Sequence, residues 1–282
     1  MKLIECPRDA MQGMVDFVPT QDKINYINEL LKVGFDTIDF GSFVSPKAIP
    51  QMRDTAEVLK GLDLSSATKL LAIVANERGA ESALSFEEID YLGYPFSISE
   101  TFQQRNTNAS IEQSLGRLEN VRNLVAKNNK ELVVYLSMGF GNPYGDAYSP
   151  EICAQWADRL AQDFDINILV PSDTIGSADP KGILDLLTTL ISSFSEVEFG
   201  AHIHTTPETA LGKIEAMIQS GVHRIDSAIK GFGGCPMAKD DLTGNMPTEL
   251  VVKKLEEVGL PAHFNLNTFN EAFDKSSVIF NA

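Results

Sequence analysis

The chain is short of the residues that would staple it together or anchor it. Cysteine occurs three times in 282 residues, as Cys6, Cys153 and Cys235. An odd number, far apart and without C-x-x-C spacing, argues against a disulfide framework and against a structural zinc site. No apolar run approaches the ~20 residues of a membrane span. The opening stretch carries Glu5 and Pro7 where a signal peptide needs an apolar run, so we expect no leader and a reducing, cytoplasmic setting. Positive charge is also scarce: 23 Lys and Arg face 39 Asp and Glu, a formal net charge of −16. Such a field repels phosphate backbones and anionic membranes, so neither nucleic acid nor membrane is an expected partner. With 43% hydrophobic and 22% charged residues the chain lies outside the disordered class.

Short β-branched runs alternate with segments of helical period. The pattern predicts strands over 3–6, 37–40, 70–75, 94–99, 132–137, 166–170, 198–204 and 224–229. Helices are predicted over 21–32, 50–61, 77–85, 111–128, 150–163, 180–192, 207–220 and 248–258. Pro150 and Pro180 each follow a capping residue, Ser149 or Asp179, and sit where a helix has no amide donor to lose. Eight such units predict a (β/α)8 TIM barrel. The competing doubly wound sheet calls for a G-x-G-x-x-G turn after the first strand, and Cys6 to Gln12 stands there instead. No linker or repeat divides the sequence, so residues 1–282 are expected to form one domain. Residues 259–282 are read as a short, irregular C-terminal extension.

In such a barrel the reactive residues collect at the C-terminal ends of the strands. Arg8 and Asp9 follow strand one, Asp39 lies on strand two, and Asp173 and Thr174 follow strand six. His202 and His204 are on strand seven, and the Gly233-Gly234-Cys235-Pro236 loop follows strand eight. Two histidines separated by one residue on a strand share a face and can share a cation. Closure of strand eight onto strand one brings up Asp9 and the loop bearing Asn245 as oxygen ligands. A set of Asp9, His202, His204 and Asn245 suits Mg²⁺ or Mn²⁺. His223 and His263 lack such company and are read as packing or surface residues.

Pro7-Arg8-Asp9 with Gln12, the Ser42-Phe43-Val44-Ser45-Pro46-Lys47 run, Asp173-Thr174-Ile175-Gly176, the His-x-His pair, and Gly233-Gly234-Cys235-Pro236 with Thr243-Gly244-Asn245 are in register with one known family. The sequence resembles the 3-hydroxy-3-methylglutaryl-CoA lyases from Leu3 to about Gly259. The resemblance implies cleavage of an acyl-CoA substrate to acetyl-CoA and acetoacetate, with a divalent cation on Asp9, His202, His204 and Asn245. It implies that Arg8 neutralises charge on the thioester oxygen and that the Cys235 thiol protonates the enolate carbon. Either Asp39 or Asp173 relays the hydroxyl proton. Arg8, Gln12, Ser42, Lys47 and Thr174 are the implied substrate contacts, and a homodimer is the implied assembly. Cys6 and Cys153 are read as buried packing residues.

Several positions depart from the family pattern. Asp39 replaces a glutamate, and Thr205 to Pro207 replace an acid and a tyrosine beyond the His-x-His pair. These leave open a lyase for a related 3-hydroxy-3-substituted glutaryl-CoA. A Claisen-type synthase and a non-catalytic binding protein on a decayed barrel are the remaining alternatives.

Overall fold

A computed structural model describes residues 1–234, 243–260 and 265–280. Eight parallel strands, β1 (Lys2–Glu5), β2 (Thr37–Ser42), β3 (Lys69–Ile73), β4 (Tyr91–Ser97), β5 (Glu131–Ser137), β6 (Ile168–Asp173), β7 (Glu198–Ile203) and β8 (Arg224–Ser227), close into a barrel in sequence order. The closing seam pairs β1 with β8 through Leu3↔Ile225 and Ile4↔Asp226. This is the (β/α)8 barrel that the alternation predicts. Strands in such a sheet are buried on both faces, which is why they read as nearly unbroken β-branched and aromatic runs; every residue of β2 is buried. Leu71, Ile73, Tyr91, Val133, Tyr135, Ile168 and Val170 fill part of the barrel interior.

Around it run α1 (Pro7–Gln12), α2 (Thr20–Val33), α3 (Thr55–Lys60), α4 (Glu77–Leu84), α5 (Glu100–Thr107), α6 (Ile111–Lys127), α7 (Pro150–Phe164), α8 (Pro180–Ser193), α9 (Ala210–Ser220), α10 (Thr248–Glu257) and α11 (Leu266–Phe280). Ser149 and Asp179 accept from the amides of Ile152 and Gly182, capping α7 and α8 just before their prolines. The helix predicted over 50–61 is broken. A single 3-10 turn, Pro50–Met52, precedes α3, and Asp54 between them spends its carboxylate on Thr20 and Lys23 of α2.

Helix α1 occupies a segment expected to be a strand end, and α5 was not anticipated. The expectation of an irregular extension is overturned by α11, which buries Phe269, Ala272, Ser276 and Ile279 at helical spacing. Tyr26 of α2 meets Phe280 edge to face at 6.1 Å, and Phe280 stacks on Phe232 at 4.3 Å. The helix therefore braces the segment that leads into the Gly-Gly-Cys-Pro loop. None of the helices among the described residues is long and apolar enough to cross a membrane.

Glu5 ties the closing seam to α10 from a fully buried position. One carboxyl oxygen accepts from the Ile229 amide at 2.8 Å, and the other lies 2.6 Å from the Thr248 hydroxyl. That hydroxyl also lies 2.9 Å from Ser227 Oγ, so a protonated Glu5 that donates to Thr248 lets Thr248 donate on to Ser227. Burial pushes the Glu5 carboxyl up to about 8. The native state then holds a proton that the unfolded chain releases above its ordinary value of 4.5, so stability falls as pH rises from there to about 8. Glu5→Gln keeps the neutral hydrogen-bond pattern without this loss. We expect thermal melts of the variant and wild type to converge near pH 5 and the variant to melt several degrees higher at pH 8.5; parallel curves would refute a buried neutral Glu5.

Candidate active site

The C-terminal mouth of the barrel is built where the first and last β/α units meet. Cys6 follows β1 at the N-cap of α1, which starts at Pro7 and whose first turn carries Arg8 and Asp9 inward. Gly233 lets the loop after β8 lie flat on that turn: a Cβ there would stand 2.6 Å from Ala10 Cα and 2.7 Å from the Asp9 carbonyl oxygen, and its φ is +86°. The same approach carries Asn245 to Asp9.

Arg8 is the hub. Its Nε and Nη2 both donate to the Asp39 carboxylate, while Nη1 donates to Asp9 Oδ1 and Gln12 Oε1, each at 2.9 Å. Four of the five guanidinium N–H bonds are thus committed and one on Nη2 is left. The two carboxylates hold the guanidinium charged despite burial. Burial pushes Asp39 up to about 6, with Arg8 opposing, so Asp39 is ionised at neutral pH yet within reach of protonation. Burial acts to raise Asp9 too, but Arg8 and the two imidazoles outweigh it and hold that carboxyl below its ordinary value.

The tips of the two histidines face each other, Nε2 to Nε2, at 3.2 Å, and His204 Nε2 is 3.9 Å from Asp9 Oδ2. Two ligands set at right angles on one octahedral ion with ~2.1 Å bonds stand ~3 Å apart, so this spacing fits a shared cation. Asp9, His202 and His204 offer three buried donor atoms within 4.8 Å of one another. The Asn245 amide nitrogen donates to Asp9 Oδ2 and to the Phe232 carbonyl, both at 2.8 Å, which leaves its Oδ1 as the atom able to meet a cation. His202 Nδ1 lies 3.3 Å from Asp226 Oδ2; donating there frees Nε2 as a ligand. Burial works against a charged His202, yet the Asp226 hydrogen bond and the Asp9 charge raise its pKa, whereas burial and the neighbouring His202 lower His204 to about 4. Cys6, His202 and Asp226 make a second close trio. Burial and three surrounding acids push the Cys6 thiol far up. Cys153, inside α7, is pushed by burial up to about 12.

Arg8, Asp9, Gln12, Asp39, His202, His204 and Asn245 are therefore brought together. Asp173 is committed elsewhere: it accepts from the Ser177 and Ala178 amides and from Lys213, shaping the loop after β6. Ser42 hydrogen-bonds the Ile73 carbonyl, Thr174 faces Met138 Sδ, and Lys47 is exposed on the connection after β2. Cys235 and His263 lie outside the described residues. His223 accepts from the Phe199 amide, an ordinary packing contact. Thr205 pairs its backbone with Gly244, bracing the Asn245 loop, and turns its hydroxyl to Thr209.

Two residues were missed by sequence reasoning. Asp226 supplies from β8 a carboxylate to His202 Nδ1, and its register opposite His202 is readable once the strand order is known. Lys213, buried in α9, donates to the carbonyls of His204 and Gly176 and steadies the end of β7; an isolated lysine in an amphipathic helix gives no such signal.

Comparisons with known proteins show which chains share this fold and sequence. A hydroxymethylglutaryl-CoA lyase of Bacillus subtilis is 36% identical over 260 residues, covering 92% of this chain and 86% of that protein. The crystal structure of the HMG-CoA lyase from Brucella melitensis superposes with a TM-score of 0.92 at 29% identity, over 100% of this chain and 99% of that one. An HMG-CoA lyase from Acinetobacter baumannii, solved with coenzyme A and 3-methylmalate, superposes with a TM-score of 0.91 at 28% identity, over 100% and 91% of the two chains. The profile of the HMGL-like family matches residues 3–275, and with that match, and with an Arg-Asp turn and a His-x-His pair meeting at the barrel mouth, the chain belongs to the HMGL-like family.

Proposed function

We propose that the protein is a divalent-cation-dependent carbon–carbon lyase that cleaves 3-hydroxy-3-methylglutaryl-CoA into acetyl-CoA and acetoacetate by reversing a Claisen condensation. The observation that carries this reading is the convergence of Asp9, His202 and His204 beside Arg8, in a chain whose relatives bear that lyase name. Asp9, His202, His204 and Asn245 Oδ1 would hold Mg²⁺ or Mn²⁺. A bound cation would chelate the substrate's tertiary hydroxyl and free carboxylate and make that hydroxyl more acidic.

Asp39, ionised at neutral pH, raised to about 6 and joined through Arg8 to the candidate ligand Asp9, takes the hydroxyl proton; Asp173 faces the loop after β6 instead. The oxygen then forms the ketone of acetoacetate as the bond to the thioester methylene breaks. The electron pair of that bond passes to the acetyl-CoA enolate, whose oxygen is met by the remaining Arg8 N–H. Cys235 gives its thiol proton to the enolate carbon and recovers one through Asp39 and solvent. Gln12 orients Asp9 and Arg8, while Ser42, Lys47 and Thr174 line the approach of the acyl-CoA, with Lys47 free to meet its phosphates. A cytoplasmic homodimer is the setting we propose, and light scattering on the purified protein tests the assembly.

Purified protein supplied with Mg²⁺ or Mn²⁺ is expected to release acetoacetate from hydroxymethylglutaryl-CoA, to stop on addition of EDTA, and to recover when the cation is restored. No acetoacetate with either ion would defeat the substrate assignment. The shorter Asp39 and the Thr205 hydroxyl turned away to Thr209 favour, as a second reading, a related 3-hydroxy-3-substituted glutaryl-CoA. A panel of such thioesters, ranked by kcat/KM, separates the two.

A further inference from the structure

Beneath the histidines the barrel interior holds a charged group with no counterpart in the site just described. Arg224, at the start of β8, is 0% exposed, and its Nε, Nη1 and Nη2 have no hydrogen-bond partner among the described residues. Gly200 on the neighbouring β7 makes room for it: a Cβ there would lie 2.6 Å from Arg224 Cγ. Four other buried polar atoms are similarly unpartnered among the described residues, His204 Nδ1 and, with Arg224, Tyr135 Oη, Glu198 Oε1 and Asp226 Oδ1. Arg224 faces two of them at distances too long for direct hydrogen bonds, 3.7 Å from Nη1 to Glu198 Oε1 and 4.0 Å from Nε to Asp226 Oδ1. The Tyr135 ring meets the His202 ring edge-on at 5.9 Å, so the group lies directly under the candidate metal ligands.

A guanidinium buried without hydrogen bonds costs far more than its ion pairs return, and polar atoms gathered at such spacings are the setting in which internal water is held by two to four partners. We propose that ordered water in the barrel interior joins Arg224 to Asp226, Glu198 and Tyr135, and that Arg224 is thereby a positioning residue for His202. The path is short. Asp226 offers Oδ2 to His202 Nδ1 and keeps Oδ1 for the Arg224 side. Anchored at both oxygens, the carboxylate fixes the plane of the imidazole and aims Nε2 at the cation. Outer partners of this kind typically change metal affinity 10–100-fold. Glu198 is held in turn by Lys2 at 2.6 Å, so the cluster is fixed at its far end too.

The inference rests on the cation reading, and the test keeps the two apart. Mn²⁺ dissociation constants are measured from the electron paramagnetic resonance signal of free Mn²⁺ for wild type, His202→Ala, Arg224→Met, Asp226→Asn and the Arg224→Met/Asp226→Asn double variant. We expect Arg224→Met and Asp226→Asn each to weaken binding about 10–100-fold, and the double variant to bind no more weakly than Asp226→Asn alone, because both act along one path. Melting curves in EDTA establish that each variant is folded. A folded Arg224→Met with wild-type affinity, or losses that add in the double variant, would overturn the proposal. If Arg224→Met does not fold, Tyr135→Phe decides: it removes one hydroxyl from the cluster at nearly constant volume, weaker Mn²⁺ binding supports the proposal and wild-type affinity overturns it. Wild type that binds no better than His202→Ala would instead defeat the cation reading itself.

Discussion

Arg8→Lys is expected to lower kcat for the proposed acetoacetate release by about 10²–10³-fold while leaving the protein folded. The substitution keeps the charge between Asp9 and Asp39, so neither buried acid is left without a cation and the large cost of breaking a buried pair is avoided. What it removes is valence. The guanidinium serves two Asp39 oxygens, Asp9 and Gln12 and still has one N–H to turn toward the thioester oxygen. An ammonium has three hydrogens, all of which the two acids and Gln12 can occupy, so none is left for charge that develops during cleavage. Loss of one such donor typically costs that factor in turnover. Melting temperature and Mn²⁺ affinity should change little, so the defect falls on kcat. A variant within threefold of wild-type kcat would show that Arg8 is only the structural partner of its two acids.

The second large effect is expected at Cys235. Cys235→Ala should lower turnover by about 10³-fold, within the range for loss of a positioned general acid, with the Mn²⁺ dissociation constant unchanged. Cys235→Ser should not rescue it. A hydroxyl fills similar space but is a much weaker acid than a thiol of ordinary pKa ~8.5, so the pair of variants separates acidity from packing. The other two cysteines do not compensate, because burial holds the Cys6 and Cys153 thiols well above that value. Wild-type turnover in Cys235→Ala would remove the thiol from the chemistry.

The parts of the molecule legible in the sequence are those with a strong local signature. All eight strands could be read because burial on both faces leaves short apolar runs, and the His-x-His pair because period-two spacing places both rings on one face. Helix α1 was not legible: six residues are too few for a 3.6 period to show, and Cys6-Pro7 reads equally well as a strand end. In α11 the buried stripe of Phe269, Ala272, Ser276 and Ile279 is diluted by asparagines, so the segment looked irregular until α2 supplied the surface it packs on. Long-range polar contacts were beyond reach. Arg8 meets Asp39 across 31 positions and Glu5 meets Thr248 across 243, and neither pairing has a trace in local pattern. That the sequence leaves the choice between Asp39 and Asp173 as proton relay open has the same origin. Only the fold separates an acid facing Arg8 from one that ties down its own loop.

The proposed ligands are drawn from opposite ends of the polypeptide: Asp9 follows the first strand, His202 and His204 ride on the seventh, and Asn245 lies beyond the eighth. Asp9 and Asn245 meet across 236 positions, at the seam where β8 returns to β1. Their pairing has to wait for the longest loop closure in the barrel, and contacts of such sequence separation form slowly. A ribosome-bound chain that has emerged only as far as β7 has no complete site to offer an ion. On the proposed ligand set, uptake of a cation would be a late event in folding and would report ring closure.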